Sequence, residues 1–420
     1  MQKILLLIAS LFYFNFILAE NEIKSWQGIH ETPLSRLEQQ FAEPPVEFAN
    51  HVIWGWEGKM DKKTICNDLD SIKKKGFRAV IFEAGYKLPF KYLSEEWFKA
   101  IRTGVLEAKK RGMKVWIIDE GKYPSGFAGG KFSQERPDLR MQALVIGDTI
   151  QIKRGEVMTN HKIAPEIISA VAVSTSGAPN RTVAINNGEI SFNAGLDDWK
   201  ILLVKSDFRT AVTRAVNNPN GGKDATNSLC DYLNPVAVQQ FIDWTHEQYK
   251  KYLGKELGTT VLGFRGDEPD YAHLPWTPSI VQTFKDTKGY DPTPYLASFF
   301  TTSPTIQEQR VKADYWDVWS SLFATHFFKL QADWCAANGV AHITHLNKEH
   351  EMPACVKAEG DYFRNLSKVQ IPGVDAIWNQ IWPGTLNDFP KLASSVAHVY
   401  GKPRAFSESF EIGRASCRER

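Results

Sequence analysis

From His51 onward the chain repeats one phrase, a short apolar run followed by an amphipathic helix, and this alternation restricts it to a parallel α/β sheet. Residues 51–56 read as a strand. Asp61 then caps a helix with Ile65, Leu69 and Ile72 on one face, and Gly76 stops it. Residues 77–83 form the second strand and residues 94–111 its helix, with Glu95 and Glu96 at the positive end and Gly112 as the stop. Residues 114–119 are the third strand. Parallel neighbours need a crossover between them, and each gap here holds a helix.

The rhythm breaks from about Leu139 to Ala211, where short alternating runs (143–152, 169–173, 182–192, 200–204) are separated by turn residues and Asn187-Gly188 signals a hairpin. This predicts a small β-subdomain inserted after the third strand. Beyond a polar loop at 217–222, Asn234-Pro235 opens a helix running to about Gly258, and residues 260–264 restore the strand rhythm. A long helical region, 306–338, leads to a strand at 340–345; residues 373–378 are a sixth strand, 388–400 a helix, and 403–408 a seventh strand. The predicted fold is α/β, a (β/α)8 TIM-type barrel that is incomplete, with about seven strands present. An open doubly wound sheet is the alternative, and no GxGxxG follows the first strand to support it.

Both ends are set aside from the fold. Residues 1–19 have the charged start, apolar run and small-residue cleavage site of a secretory signal, with the cut after Ala19. The run is too short for a transmembrane anchor, so the protein is expected to be exported, periplasmic or extracellular. At the other end, residues 411–420 are what one frame of a common sequencing adapter encodes. They read as an artefactual tail, and the natural gene is expected to continue past Phe410. Between lie an N-terminal arm (20–50), the first part of the barrel (51–138), the insert (139–212) and the second part (213–410).

Charge narrows the partners: 50 Lys and Arg against 48 Asp and Glu leave a net charge of +2 without basic runs, so no nucleic-acid partner is indicated. Nothing in the sequence sets an oligomeric state. Cys66, Cys230, Cys335 and Cys355 form no CxxC pair, so buried thiols or at most an incidental bridge are expected.

Acids collect where strands end: Glu83, Asp119, Glu120, Asp267, Glu268, Asp375 and Glu408. In a barrel those ends form the reactive face. Two carboxyl groups facing one bond, one protonated and one ionised, are the minimum for glycoside hydrolysis, and Glu268 with Glu408 is the natural catalytic pair. The structural alternative pairs Glu268 with Arg265 and Glu408 with Arg404. Asp119, Glu120, Asp267, His345, Glu351 and Asp375 are candidate sugar contacts, and Trp54, Trp56, Trp276 and Trp378 a candidate aromatic floor. His342, His345 and His350 with Glu349 and Glu351 lack an HExxH arrangement, so polar substrate contact ranks above metal ligation, and a structural role for His342 ranks with either. The sequence requires no cofactor.

The segments 119–130, 263–271, 274–277 and 401–410 resemble glycoside hydrolase family 106, the α-L-rhamnosidases and their relatives, and the resemblance runs from about Phe48 to Phe410. It implies a (β/α)8 barrel followed by β-sandwich domains, inverting hydrolysis of terminal rhamnose, calcium at the sugar site, Glu268 as general acid and Glu408 as general base. The Asp-Glu-Pro setting of Glu268 departs from the Asp-Ser-aromatic-Glu form of the rhamnosidases, so the sugar is not carried over. The expected function is a secreted, inverting, α-L-rhamnosidase-like glycoside hydrolase that cleaves terminal sugars from a polysaccharide or glycoside with a two-carboxylate acid/base mechanism. Its rivals are a retaining glycosidase on another sugar, a non-catalytic carbohydrate-binding barrel and, more distantly, a metal-dependent hydrolase.

Overall fold

Seven strands lie side by side, all parallel and in chain order, in a computed structural model that describes residues 33–43, 50–215, 225–271, 273–377, 380–381, 384 and 387–409. They are β1 (His51–Trp56), β2 (Ala79–Ala84), β3 (Lys114–Ile118), β4 (Val261–Asp267), β5 (Ala341–His345), β6 (Ile371–Asp375) and β7 (Phe406–Glu408). The order has no switch point, which removes the doubly wound alternative. The signal segment, the loop at 217–222, Trp378 and the tail lie outside the described residues.

Local chemistry accounts for the crossovers. Asp61 accepts a hydrogen bond from the Thr64 amide at 2.9 Å to start α1 (Lys62–Lys74), and Gly76, at φ +97°, ends it. Ser94 starts α2 (Glu95–Lys110), which buries Trp97, Phe98, Ile101 and Val105 against the sheet. The helix expected from Pro235 to Gly258 is two. α3 (Pro235–Trp244) stops at Thr245, whose backbone leaves the helical region, and α4 (His246–Leu253) follows. The long helical region is likewise divided, into α5 (Ile306–Leu322), a π turn (Phe323–Phe328) and α6 (Lys329–Ala337). The sixth strand begins two residues earlier than expected: Pro372 pairs opposite Thr344 in a parallel ladder that tolerates it, and the strand ends before Trp378.

Side chains alternate across each strand, so the sheet has two distinct faces. On one, Ile53, Ile81, Trp116, Ile118, Leu262, Ala341, Ile343, Ile371 and Phe406 pack on one another. On the other, Trp56, Val80, Phe82, Val115, Ile117 and Phe264 pack under the helices. Burying a large apolar side chain contributes roughly 1.5–3 kcal/mol, so both layers hold the sheet. The inner layer requires that the sheet curl. In a flat sheet β4 and β7 would stand roughly 14 Å apart, three strand spacings, yet Arg265 of β4 touches Glu408 of β7. The curl leaves no room at Gly263, where a Cβ would lie 1.9 Å from the Ala341 carbonyl oxygen and 2.6 Å from the Trp116 ring.

Residues between β3 and β4 build four strands of a five-stranded antiparallel sheet, whose fifth strand, Pro275–Trp276, follows β4, and a three-stranded one; Lys122–Tyr123 and Arg214–Ala215 pair as a further two-stranded ribbon. Trp199–Phe208 is central in the first, flanked by Gln142–Ile152 and Ile167–Ser174. In the second, Asn187 and Gly188 turn Ile185–Asn186 back onto Glu189–Asn193, both with positive φ, as a tight hairpin demands. All four cysteines among the described residues are free. No helix among them is long and apolar enough to cross a membrane.

Candidate active site

Alternation along the strands decides which acids meet. Counting back in twos, the inner face presents Glu83 on β2, Arg265 and Asp267 on β4, His345 on β5, Asp375 on β6 and Glu408 on β7, all at the C-terminal ends. They converge on one imidazole. His345 Nε2 lies 3.4 Å from Asp267 Oδ1, 3.8 Å from Glu268 Oε1 and 3.7 Å from Glu408 Oε2, with the ring fully buried. Those legs cap the separation of the near Glu268 and Glu408 oxygens at about 7.5 Å, a ceiling that admits both the roughly 5–5.5 Å of a retaining pair and the shorter part of the roughly 6.5–9.5 Å of an inverting one.

The two candidate catalytic acids have opposite surroundings. Glu408 contacts the buried Arg265 guanidinium, which also lies 3.8 Å from Asp267 Oδ1. Glu268 faces Asp375, with His345 and Tyr123 at its other side. Burial alone would raise the Glu268 carboxyl, but the neighbouring His345, with Tyr123 and Asp375, outweighs it and holds it below the usual value. Asp375 moves the other way: burial raises it, and the Glu268 charge adds to that despite the opposing pull of His345. Of these two facing carboxyls, Asp375 is the one whose surroundings favour the protonated form. Burial also disfavours a charged His345 ring, yet the Glu268 carboxylate beside it leaves it above the usual histidine value. Glu268 has φ +39°, a left-handed conformation that costs a non-glycine residue about 1–3 kcal/mol and persists only where its surroundings impose it.

A second tier braces these groups. Ser125 Oγ donates to Asp119 Oδ1 at 2.7 Å and accepts from the Asp267 amide at 2.7 Å, joining the β3 loop to the end of β4. Asp119 is fully buried, and burial raises its carboxyl well above the usual range. It braces the rim. Glu120 is a loop anchor too: its two oxygens accept the amides of Gly121, Phe127, Ala128 and Gly129, and burial pushes it up to about 7 against those bonds. Lys122 reaches Glu83 at 2.9 Å, and Asn347 donates to the Tyr123 hydroxyl at 3.2 Å.

Several expected sugar contacts lie elsewhere. Trp54 and Trp56 occupy the even positions of β1, so they pack with Phe82 and Trp97 beneath the helices, away from the acids. Trp276 is buried in the antiparallel sheet opposite Gln142. Trp378 lies outside the described residues. Glu351 is exposed, and Glu349 takes its place: buried, it accepts from the Leu346 amide at 2.8 Å and the Asp375 amide at 3.4 Å, and burial pushes it up to about 8. His342 points to the outer face, out of reach of a sugar. The structural alternative puts Arg265 with Glu268; the structure puts it with Glu408. Of the residues that complete the site, Arg265 was signalled by its spacing of two from Asp267, and Tyr123 by its place in the 119–130 segment. Nothing local marked Asn347.

Comparison with known proteins adds three findings. The model of the alpha-L-rhamnosidase family, glycoside hydrolase family 106, matches residues 158–419. A curated protein of Formosa agariphila named "Putative beta-glucuronidase" is 24% identical over 90% of this chain, which spans 35% of that protein. The rhamnosidase structure from Novosphingobium sp. PP1Y shares the fold with a TM-score of 0.64 at 15% identity, over 88% of this chain and 52% of that one.

Proposed function

The chain belongs to the alpha-L-rhamnosidase family of glycoside hydrolases, and from that premise we propose that it is an exported, inverting enzyme that removes terminal sugars, α-L-rhamnosides first, from a polysaccharide or glycoside. The observation that carries this is the asymmetry of the two acids. Arginine beside a carboxylate favours its ionised form, and Glu408 has Arg265; of two facing carboxyls one retains a proton, and Glu268 has that proton reserve beside it in Asp375.

In this reading Glu268 delivers the shared proton to the leaving oxygen, and Asp375 keeps that proton available until the substrate is bound. Glu408 accepts a proton from the attacking water, and Arg265 holds its carboxylate in place. Asp267 and His345, between the two acids, contact the hydroxyls of the sugar. The seven curled strands are those of a (β/α)8 barrel without its last unit, and the antiparallel sheets are a subdomain inserted after β3.

Calcium, which the family implies, suits one donor set and not another. The groups centred on His345 do not fit, because one member is an imidazole and Arg265 already neutralises Glu408. Asp270 and Glu359 fit better: Asp270 Oδ1 and Glu359 Oε2 are buried oxygens without a hydrogen-bond partner, and the Asp270 charge bears on Glu359. They would hold the ion, which would supply positive charge for binding sugar hydroxyls.

A second reading takes its substrate from the relative's name: a β-glucuronide in place of the rhamnoside. A panel of aryl glycosides that includes both, assayed with the purified protein, tests the proposal. Release from the α-L-rhamnoside supports the first reading, release from the glucuronide alone the second, and release from neither rejects both.

A further inference from the structure

On the outer face of the sheet, turned away from the carboxylates, three ligand-type side chains from three elements converge. His342 stands on β5, at odd spacing from His345, so it faces outward; His246 opens α4; Cys335 lies on α6. One donor atom of each lies within 4.8 Å of the other two, and all three residues are buried.

Buried polar atoms are almost always paired, and these are not. Both ring nitrogens of His342 and Nε2 of His246 have no hydrogen-bond partner. The tautomer of His246 follows from its neighbour. Thr245 Oγ1 donates its proton to the Phe241 carbonyl at 2.7 Å, so towards His246 Nδ1, 2.9 Å away, it can only accept. Nδ1 therefore carries the hydrogen and Nε2 presents a bare lone pair, the arrangement that an outer hydrogen bond imposes on metal-binding histidines. Phe264 at 4.2 Å and Trp334 at 5.2 Å between ring centroids hold this imidazole in place. Burial holds both imidazoles neutral, His342 down to about 3. Gln331, one turn before Cys335 on α6, is fully buried with its Oε1 unpartnered.

We propose that His246, Cys335 and His342 bind one borderline transition-metal ion, zinc foremost, as three of its ligands. Two imidazoles and a thiol suit this class, whereas calcium and magnesium take oxygen. Burial keeps the free thiol protonated, and the ion supplies the charge that makes the thiolate stable. The Cys335 S–H bond breaks, a sulfur–metal bond forms, and one proton passes to solvent. The ion ties β5 to α4 and α6 behind the sheet and takes no part in hydrolysis.

Cobalt(II) titration of chelator-stripped protein tests this. The expected result is a thiolate-to-cobalt charge-transfer band that saturates at one equivalent, disappears when one equivalent of zinc is added, is lost in Cys335→Ser and is unchanged in Cys66→Ser. Should Cys335→Ser fail to fold, the wild type still decides: one equivalent of zinc should release one proton, read with a pH indicator, and give a thiolate-to-metal absorption below about 240 nm. A wild type without the band, or a band that survives in Cys335→Ser, overturns the proposal; cobalt held only by carboxylates would give no such band.

Discussion

Arg265 lies three residues before Glu268 in the chain, yet its guanidinium contacts the carboxylate of Glu408, contributed by a strand three places away in the sheet. This contact frees Glu268 to face Asp375, so one acid lies against a guanidinium and the other against a carboxyl.

Replacing either acid by its amide should separate chemistry from folding. Glu268→Gln and Glu408→Gln are near-isosteric, so each should lower kcat by at least about 100-fold, the scale of a lost general acid or base, while Tm stays close to wild type. Steady-state kinetics on an aryl glycoside with matched melting curves check this. Activity within tenfold of wild type for either variant would remove that residue from the mechanism.

Arg265→Met should cost both activity and stability. Its side chain is 2% exposed, and removing one partner of a buried pair leaves Glu408 and Asp267 with an unbalanced charge, at about 3–5 kcal/mol. Denaturant unfolding would show the loss, and Arg265→Met combined with Glu408→Gln should recover part of it. A double variant no more stable than the single one would mean that the ion pair is not what holds the rim.

The alkaline limb of kcat/KM should move to lower pH in Asp375→Asn. The wild-type Asp375–Glu268 pair holds a proton into the neutral range, because burial and the neighbouring charge raise Asp375. Asparagine can donate a hydrogen bond to ionised Glu268 but cannot give up a proton, so Glu268 is ionised at lower pH. A pH–rate profile identical to wild type would rule out the shared proton.

Glu349 predicts a stability trend of definite sign. Its folded value is raised to about 8 from 4.5, so between these values the folded state binds the proton more tightly. The stability from that preference is complete below about pH 4.5 and is lost as pH rises through about 8, amounting to a few kcal/mol. Wild-type Tm should fall across this window, and Glu349→Gln should flatten the slope. Equal slopes would show that Glu349 titrates normally.

Proton NMR of the first-released sugar should show the anomer opposite to that of the substrate, as hydrolysis by inversion requires. Retention would instead assign Glu408 as a nucleophile.

The amino-acid sequence by itself determined the strand rhythm, the stop and cap residues, the Asn187-Gly188 hairpin and the line of acids at strand ends, because each depends on neighbours within a few residues. It also held the inner face in code: with a period of two, Glu408, Asp375, His345 and Asp267 share one side, and Trp54 and Trp56 the other. Only the tertiary structure decided who meets whom. Arg265 reaches Glu408 because the sheet curls, and curling is a collective property of strand twist and inner-layer packing that no segment carries. Glu349 in place of Glu351 follows from a loop whose amides needed an acceptor, and the cluster of His246, Cys335 and His342 joins positions up to 96 residues apart, with no common motif, on elements that meet only after the helices have packed behind the strands.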